Sequence, residues 1–288
     1  MSLVIWANSR LTRVEALSDA KSTAGTTYLL VGSDSRADGQ IADGTEGHRA
    51  DTIILLHRAR NGQTSMISLP RDTLVTIPES GDNKLNASYA WGGAPLLVRT
   101  VEGLTGLTVD HYVEIGMGGV VNVVDAVGGV ELCLDYDVND ELSELVWTAG
   151  CHEADGRTAL AFARMRYSDP LGDIGRGARQ RQVIGAVVRE AATPGTLVNP
   201  ARQVRLISAG VSSLTVGERT GVIGLGRLGL AFRKAIGDEG LTGTPPIASM
   251  GYDAGAIGSV VLLSDAAPEF FERLRTGQLT DADFEGQF

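Results

Sequence analysis

The hydrophobic pattern marks the strands first. Tyr28-Leu29-Leu30-Val31-Gly32 is a short, continuously apolar run, the signature of a strand in a sheet covered on both faces. Thr52 to His57 and Thr64 to Leu69 repeat it, joined through Asn61-Gly62, a hairpin-turn signal. His111 to Ile115, Val130 to Leu134 and Ser259 to Leu263 read as further strands. Between them the spacing turns helical. Residues 4–22 place Leu11, Val14 and Leu17 at helical intervals, and Pro95 to Leu104 predicts a second helix. Over 116–127, Met117, Val120, Val121 and Val124 share one helical face, and Gly128-Gly129 ends the run. Thr158 to Met165, a segment carrying Val183, Ile184, Val187 and Val188, residues 200–213 and 218–236, and Pro268 to Leu274 complete the predicted helices. Residues 84–89 read as a polar loop, 135–150 as an exposed excursion and 237–256 as a loop rich in glycine and proline. Strands alternating with helices predict an α/β chain: a three-layer α-β-α sandwich with a central mixed sheet, in a single domain.

Composition narrows the class. The chain has 288 residues, 43% hydrophobic and 21% charged, enough apolar material for a sizeable core. Its net charge of −10 argues against bulk nucleic-acid binding, which needs a basic face. No apolar run reaches the eighteen or so residues of a membrane span. The start, MSLVIWANSRLTRVEAL, also lacks the basic region and long apolar core of a signal peptide. The expectation is that an anchoring segment precedes it. The two cysteines, Cys133 and Cys151, lie eighteen residues apart in strand-like contexts. That leaves open a bridge between neighbouring strands, which implies an oxidising compartment, or two unpaired thiols.

Charge is distributed unevenly. Arg164 to Gln182 holds five arginines, Arg164, Arg166, Arg176, Arg179 and Arg181, against two acids, Asp169 and Asp173. A guanidinium is always charged and offers a planar fork that fits phosphate oxygens. Arg164 and Arg166 share a face on an extended segment but not on a helix. Arg176, Arg179 and Arg181 follow a Gly-Asp-Ile-Gly turn and form the first turns of a long helix. Charged residues also cluster at the ends of three successive strands: Asp34 with Arg36, Arg49 with Asp51, and Arg71 with Asp72. Acids at the ends of buried strands lie where α/β folds bind ligands. Asp34 and Asp51 are oxygen donors of the kind Mg²⁺ takes. The four histidines have no zinc spacing, and neither GxxxxGK[ST] nor GxSxG occurs.

The segments LLVGSDSR, HRADTIILLH, MISLPRDTLVTIP, KLNASYAWGG, VDAVGGVEL and DGRTALAFARMRYSDPLGDIGRGARQRQ, in this order, resemble the LytR-CpsA-Psr family. The likeness is close over about residues 26–192 and loose beyond. It implies an enzyme that moves a glycopolymer from a polyprenyl pyrophosphate carrier to a hydroxyl of peptidoglycan or a surface glycoprotein, forming a phosphodiester. It implies Mg²⁺ as cofactor, with the family's metal-linked aspartates at Asp34 and Asp51. Its pyrophosphate-binding residues fall on Arg49, Arg71, Arg164, Arg166, Arg176 and Gln180, and its lipid tail lies in an apolar tunnel. Arg71, Asp34, Asp51 and Arg166 are the expected catalytic group, and either aspartate can serve as metal ligand or as base. The faces at 117–124, 183–188 and 200–236 are the expected tunnel walls. Arg179 and Arg181 take no role in this scheme and read as a solvated helix face. The resemblance further implies a Cys133–Cys151 disulfide, as in actinobacterial relatives. It also implies a location on the outer face of the plasma membrane through a single N-terminal anchor. The expected organisation is a helical segment over 1–25 after that anchor and a catalytic domain over 26–288. A polyprenyl pyrophosphate hydrolase and a non-catalytic binder of lipid pyrophosphates are the alternatives.

Overall fold

The computed structural model describes residues 3–33, 49–165, 168–169 and 172–284. They divide into two compact units, Met1–Thr12 with Ile115–Leu214 and Arg13–Glu114 with Thr215–Phe288. The second unit is built on the apolar runs. Strands β2 (Thr26–Ser33), β3 (Ala50–Arg58) and β4 (Thr64–Ser68) are antiparallel neighbours, with Leu29 opposite Leu55 and Val31 opposite Ile53. Together with β1 (Thr12–Val14), β7 (His111–Gly116), β12 (Leu214–Gly217) and β13 (Leu241–Gly243) they form a seven-stranded sheet. Its order is β1-β12-β7-β2-β3-β4-β13. β13 runs parallel to β4, so the sheet is mixed.

Both faces of that sheet are covered, which is why the runs are continuously apolar rather than alternating. Leu29, Val31, Ile53, Leu55 and Ile67 join one cluster with Leu97, Val98 and Val101 of α2 (Leu85–Thr105) and with Phe270 and Phe271 of α9 (Ala267–Thr276). Successive strand side chains point to opposite faces. Ile54, Leu56 and Met66 therefore bury themselves on the other side, where α8 (Val222–Ala235) packs on β3 and β4. Two antiparallel hairpins complete this unit: β5 (Leu74–Ile77) with β6 (Gly81–Lys84), and β14 (Ile247–Asp253) with β15 (Ser259–Leu263).

The first unit is mainly helical: α1 (Leu3–Arg10), α3 (Met117–Val127), α4 (Gly156–Arg164), α5 (Gly172–Ala191), α6 (Pro194–Leu197) and α7 (Pro200–Ser213). Asp155 caps α4 by accepting from the Thr158 N–H, and Asn199 caps α7 just before Pro200. Strand β8 (Val130–Leu134) pairs with β11 (Gly150–Ala154), and β9 (Val138–Asp140) with β10 (Leu145–Trp147). Val124, Val130, Leu132, Trp147, Phe162 and Val183 are among the core residues of this unit. Cys133 lies directly opposite Cys151 in the β8–β11 register, and the two form a disulfide. Gln182 of α5 accepts from the Cys133 N–H and donates to the Cys133 carbonyl, both at 3.1 Å. The bridged hairpin thus holds the long helix by its backbone.

Four expectations need revision. The helix over 4–22 stops at Arg10. The Ala16 and Leu17 N–H groups donate to the Glu218 carboxylate instead of to a preceding turn. Helix α2 begins ten residues before Pro95. Gly93, at φ 59° and ψ −153°, breaks it where only glycine is at ease, and Pro95 restarts it. The excursion over 135–150 is the β9–β10 hairpin, with Val138, Leu145 and Trp147 buried. The loop over 237–256 contains β13 and the whole of β14.

Two outcomes follow. His57 is buried in β3 with Nδ1 3.0 Å from the Thr27 hydroxyl, and desolvation lowers its pKa below the usual imidazole value. The folded state prefers the neutral ring. The stability it contributes is therefore present above the unfolded-state pKa, near 6.5, and lost as pH falls toward the folded value. The melting temperature is expected to drop between pH 7.5 and 5.5, with a shallower drop in His57→Gln. The disulfide spans a separation of 18 residues. Replacing both cysteines by serine should cost about 3 kcal/mol in urea unfolding under non-reducing conditions.

Candidate functional site

The second unit gathers charge at one end of its sheet. Gly32 pairs with Thr52 but Ser33 pairs with Ala50, so Asp51 is the extra residue of a β-bulge. A bulge breaks the ladder and re-aims a side chain. The partner comes from the turn after β4, where Pro70 sets the backbone and its carbonyl accepts from the Thr73 N–H at 3.0 Å. Within that turn, Arg71 Nη1 donates to Asp51 Oδ1. Arg71 Nε lies 3.5 Å from Asp72 Oδ2, and Lys84 Nζ lies 3.4 Å from Asp72 Oδ1. The N-terminus of α2 docks on the same turn: Asn86 N–H donates to the Arg71 carbonyl at 2.9 Å and Leu85 N–H to the Thr73 carbonyl at 2.8 Å. Arg71 is 17% exposed and Asp51 29%, so both charges are partly withdrawn from water yet reachable.

Beside this pair sits a buried carboxylate. Glu114 of β7 accepts from the Tyr89 hydroxyl and the Tyr112 hydroxyl, each at 2.6 Å. Tyr89 stands one turn into α2 from Asn86 and also bonds to Ser33, the last residue of β2. Burial, and then the Glu114 charge, raise both phenols above the ordinary tyrosine range. The network thus ties α2, β2 and β7 together at the strand ends.

In the first unit the cations lie on α4 and α5. Arg164 is the last residue of α4 and is exposed. Arg176 is buried on α5, and Gln180, four residues on, shares its face half-buried. Arg179 is buried too: Nε donates to the Phe162 carbonyl at 3.0 Å, Nη2 to the Met165 carbonyl, and Nη1 to Asp169. Burial lowers the Arg179 pKa and pulls that of Arg181 to about 10. The reading of Arg179 and Arg181 as a solvated helix face is therefore corrected, since both guanidinium groups are desolvated.

The structure brings Asp51 and Arg71 together, places Arg164, Arg176 and Gln180 on two adjoining helices, and joins Cys133 to Cys151. Arg49 is exposed, one residue before β3. Asp34 and Arg166 lie outside the described residues. Of the expected tunnel walls, Val124 and Val183 are core residues of the first unit, with Val120 and Val187 packed against them. Among the described residues no group of three or more histidine, cysteine or carboxylate side chains is placed to hold a metal, and no helix is long and apolar enough to cross a membrane. Glu114 and Gln182 escaped the sequence reading. A lone acid inside the run HYVEIG was the available signal for the first. Nothing separates Gln182 from Gln180 in the sequence.

Comparison with known proteins bears on family and fold. The LytR_cpsA_psr family model matches residues 6–213. A probable cell wall biosynthesis protein LcpB of Corynebacterium glutamicum is 45% identical over 278 residues, covering 93% of this chain and 65% of that protein. The polyisoprenyl-teichoic acid–peptidoglycan teichoic acid transferase TagU of Enterococcus faecalis is 40% identical over 173 residues, 59% of this chain and 55% of its own. This chain thus spans between 43% and 65% of the length of the curated relatives it matches. Among solved structures, a LytR-Csp2A-Psr enzyme from Actinomyces oris has the same fold, with a TM-score of 0.74 at 23% identity over 92% of this chain and 96% of that one. TagT bound to LIIa-WTA aligns with a TM-score of 0.67 at 21% identity over 92% of this chain and all of the other. Family model, close relative and fold agree: the chain belongs to the LytR_cpsA_psr family.

Proposed function

We propose that this protein transfers a glycopolymer from a polyprenyl pyrophosphate carrier to a hydroxyl of a cell-wall or surface acceptor, leaving a phosphodiester. The observation that carries the reading is the Asp51–Arg71 pair, a carboxylate lifted out of the ladder by a bulge and met by a guanidinium from the neighbouring turn. Phosphoryl transfer depends mainly on fixed cations facing charge that grows in the transition state. Arg71 is held for that task by its two carboxylates and by the α2 N-terminus docked on its backbone. Arg164 and Arg176 are the proposed phosphate ligands of the first unit, with Arg166 and Gln180 in support, and Arg49 is proposed to support Arg71 in the second. The TagU relative, a polyisoprenyl-teichoic acid–peptidoglycan teichoic acid transferase, supports the same reaction class.

Mg²⁺ is the proposed cofactor. Asp51 offers it a carboxylate that is partly exposed, and a hard oxygen donor of that kind suits Mg²⁺. Asp34 is the proposed second ligand. When bound, the ion would neutralise pyrophosphate charge as the polyprenyl phosphate departs. The residues do the rest: Arg71 orients and neutralises phosphate oxygens, and an aspartate takes the proton of the attacking hydroxyl. The enzyme is proposed to act on the outer face of the plasma membrane, held by an N-terminal anchor.

The test supplies a lipid pyrophosphate glycan, Mg²⁺ and peptidoglycan fragments and follows products by mass. Covalent glycan on the acceptor is expected. Release of phosphate species at an unchanged rate without acceptor would mean hydrolysis instead. Arg71→Ala is expected to lower transfer by about 10²-fold or more, the scale of losing one electrostatic stabiliser. Asp51→Asn should lower transfer and weaken Mn²⁺ binding measured by electron paramagnetic resonance. Unchanged transfer in Arg71→Ala would remove that residue from the site.

A further inference from the structure

We infer that Arg179, braced by Asp169, is a positioning residue that fixes how Arg164 and Arg176 are presented; the inference rests on the pyrophosphate reading above. The last carbonyls of a helix have no partner inside it. At the end of α4 two carbonyls, those of Phe162 and Met165, are taken by the Arg179 guanidinium through Nε at 3.0 Å and through Nη2. A cation is favoured at a helix C-terminus, where the peptide dipoles leave negative charge. The remaining nitrogen, Nη1, pairs with Asp169. Each of the three nitrogens is thus committed to a protein acceptor. The pair is buried, with side chains 5% and 3% exposed. That geometry belongs to a brace and not to a ligand-binding arm.

The brace reaches both proposed phosphate ligands of this unit. Arg164 lies between the two carbonyl-bearing residues, and Met165, wholly buried, fixes the chain just beyond it. On the other side, the Asp169 carboxylate fills the space that a side chain at Gly175 would take. Gly175 immediately precedes Arg176, so the acid sits against the turn of α5 that carries that arginine. One buried ion pair therefore sets the end of α4 and the first turns of α5 against each other. A lysine at 179 keeps the charge, but its three donors radiate from one nitrogen and cannot reproduce the planar fork whose three nitrogens each meet a different acceptor.

The test is a double-mutant cycle on binding of geranylgeranyl pyrophosphate, followed by calorimetry, with thermal melts of the same variants. Arg179→Lys and Arg164→Ala are each expected to weaken binding by about tenfold. Combined, they should weaken it no more than the stronger single change, while their losses in melting temperature add. Such coupling is a readout that a purely structural role would not move. Native affinity in Arg179→Lys, or fully additive losses of affinity, would overturn the inference while leaving the pyrophosphate reading intact. Native affinity in Arg164→Ala would instead overturn the reading, and the inference with it. Should Arg179→Lys not fold, Gly175→Ala supplies the second arm: it displaces Asp169 with Arg179 unchanged and is expected to give the same coupled loss.

Discussion

A guanidinium does not give up its proton inside a protein, so every arginine withdrawn from water must be met by acceptors. That constraint shapes both units. In the first, Arg179 is desolvated and draws two helix-end carbonyls and a buried aspartate around itself. In the second, Arg71 collects Asp51 and Asp72 at the strand ends. Removing the acid from a buried pair leaves an uncompensated charge, which costs far more than the pair ever contributes. The acids near these arginines are therefore fixed by electrostatics before any ligand is considered.

The Glu114 network answers the same constraint with the opposite sign. A buried carboxylate needs donors, and two phenols supply them. Because Tyr89 belongs to α2 and Tyr112 to β7, satisfying one charge also locks a helix to a strand beside the Asp51 bulge. If the Asp51–Arg71 pair takes part in transfer as proposed, rigid supports of this kind matter to it, since a misplacement of about 1 Å can cost 10²-fold in rate.

The central strands were legible because burial on both faces writes itself as an unbroken apolar run, and Asn61-Gly62 announced their hairpin. The family motifs pointed to Asp51 and Arg71, and the structure pairs them. What stayed hidden depends on partners distant in the chain. Glu218 reaches across some two hundred residues to take the N–H groups of Ala16 and Leu17, and no local pattern foretells the end of that helix. Three-residue strands such as β9 and β10 are too short for alternation to show. Arg179 is the sharpest case. Five arginines in nineteen residues look alike in sequence, and only the fold tells an internal brace from a solvated face.

The Cys133–Cys151 bond has a topological consequence. It closes a covalent ring around the β9–β10 hairpin, and α3 and α4 leave from the two sides of that ring. A protease that nicks the backbone anywhere between the two cysteines opens the ring without parting the chain. The halves stay tethered at the hairpin whose backbone Gln182 grips. The bond is then a safeguard against fragmentation as well as a source of stability.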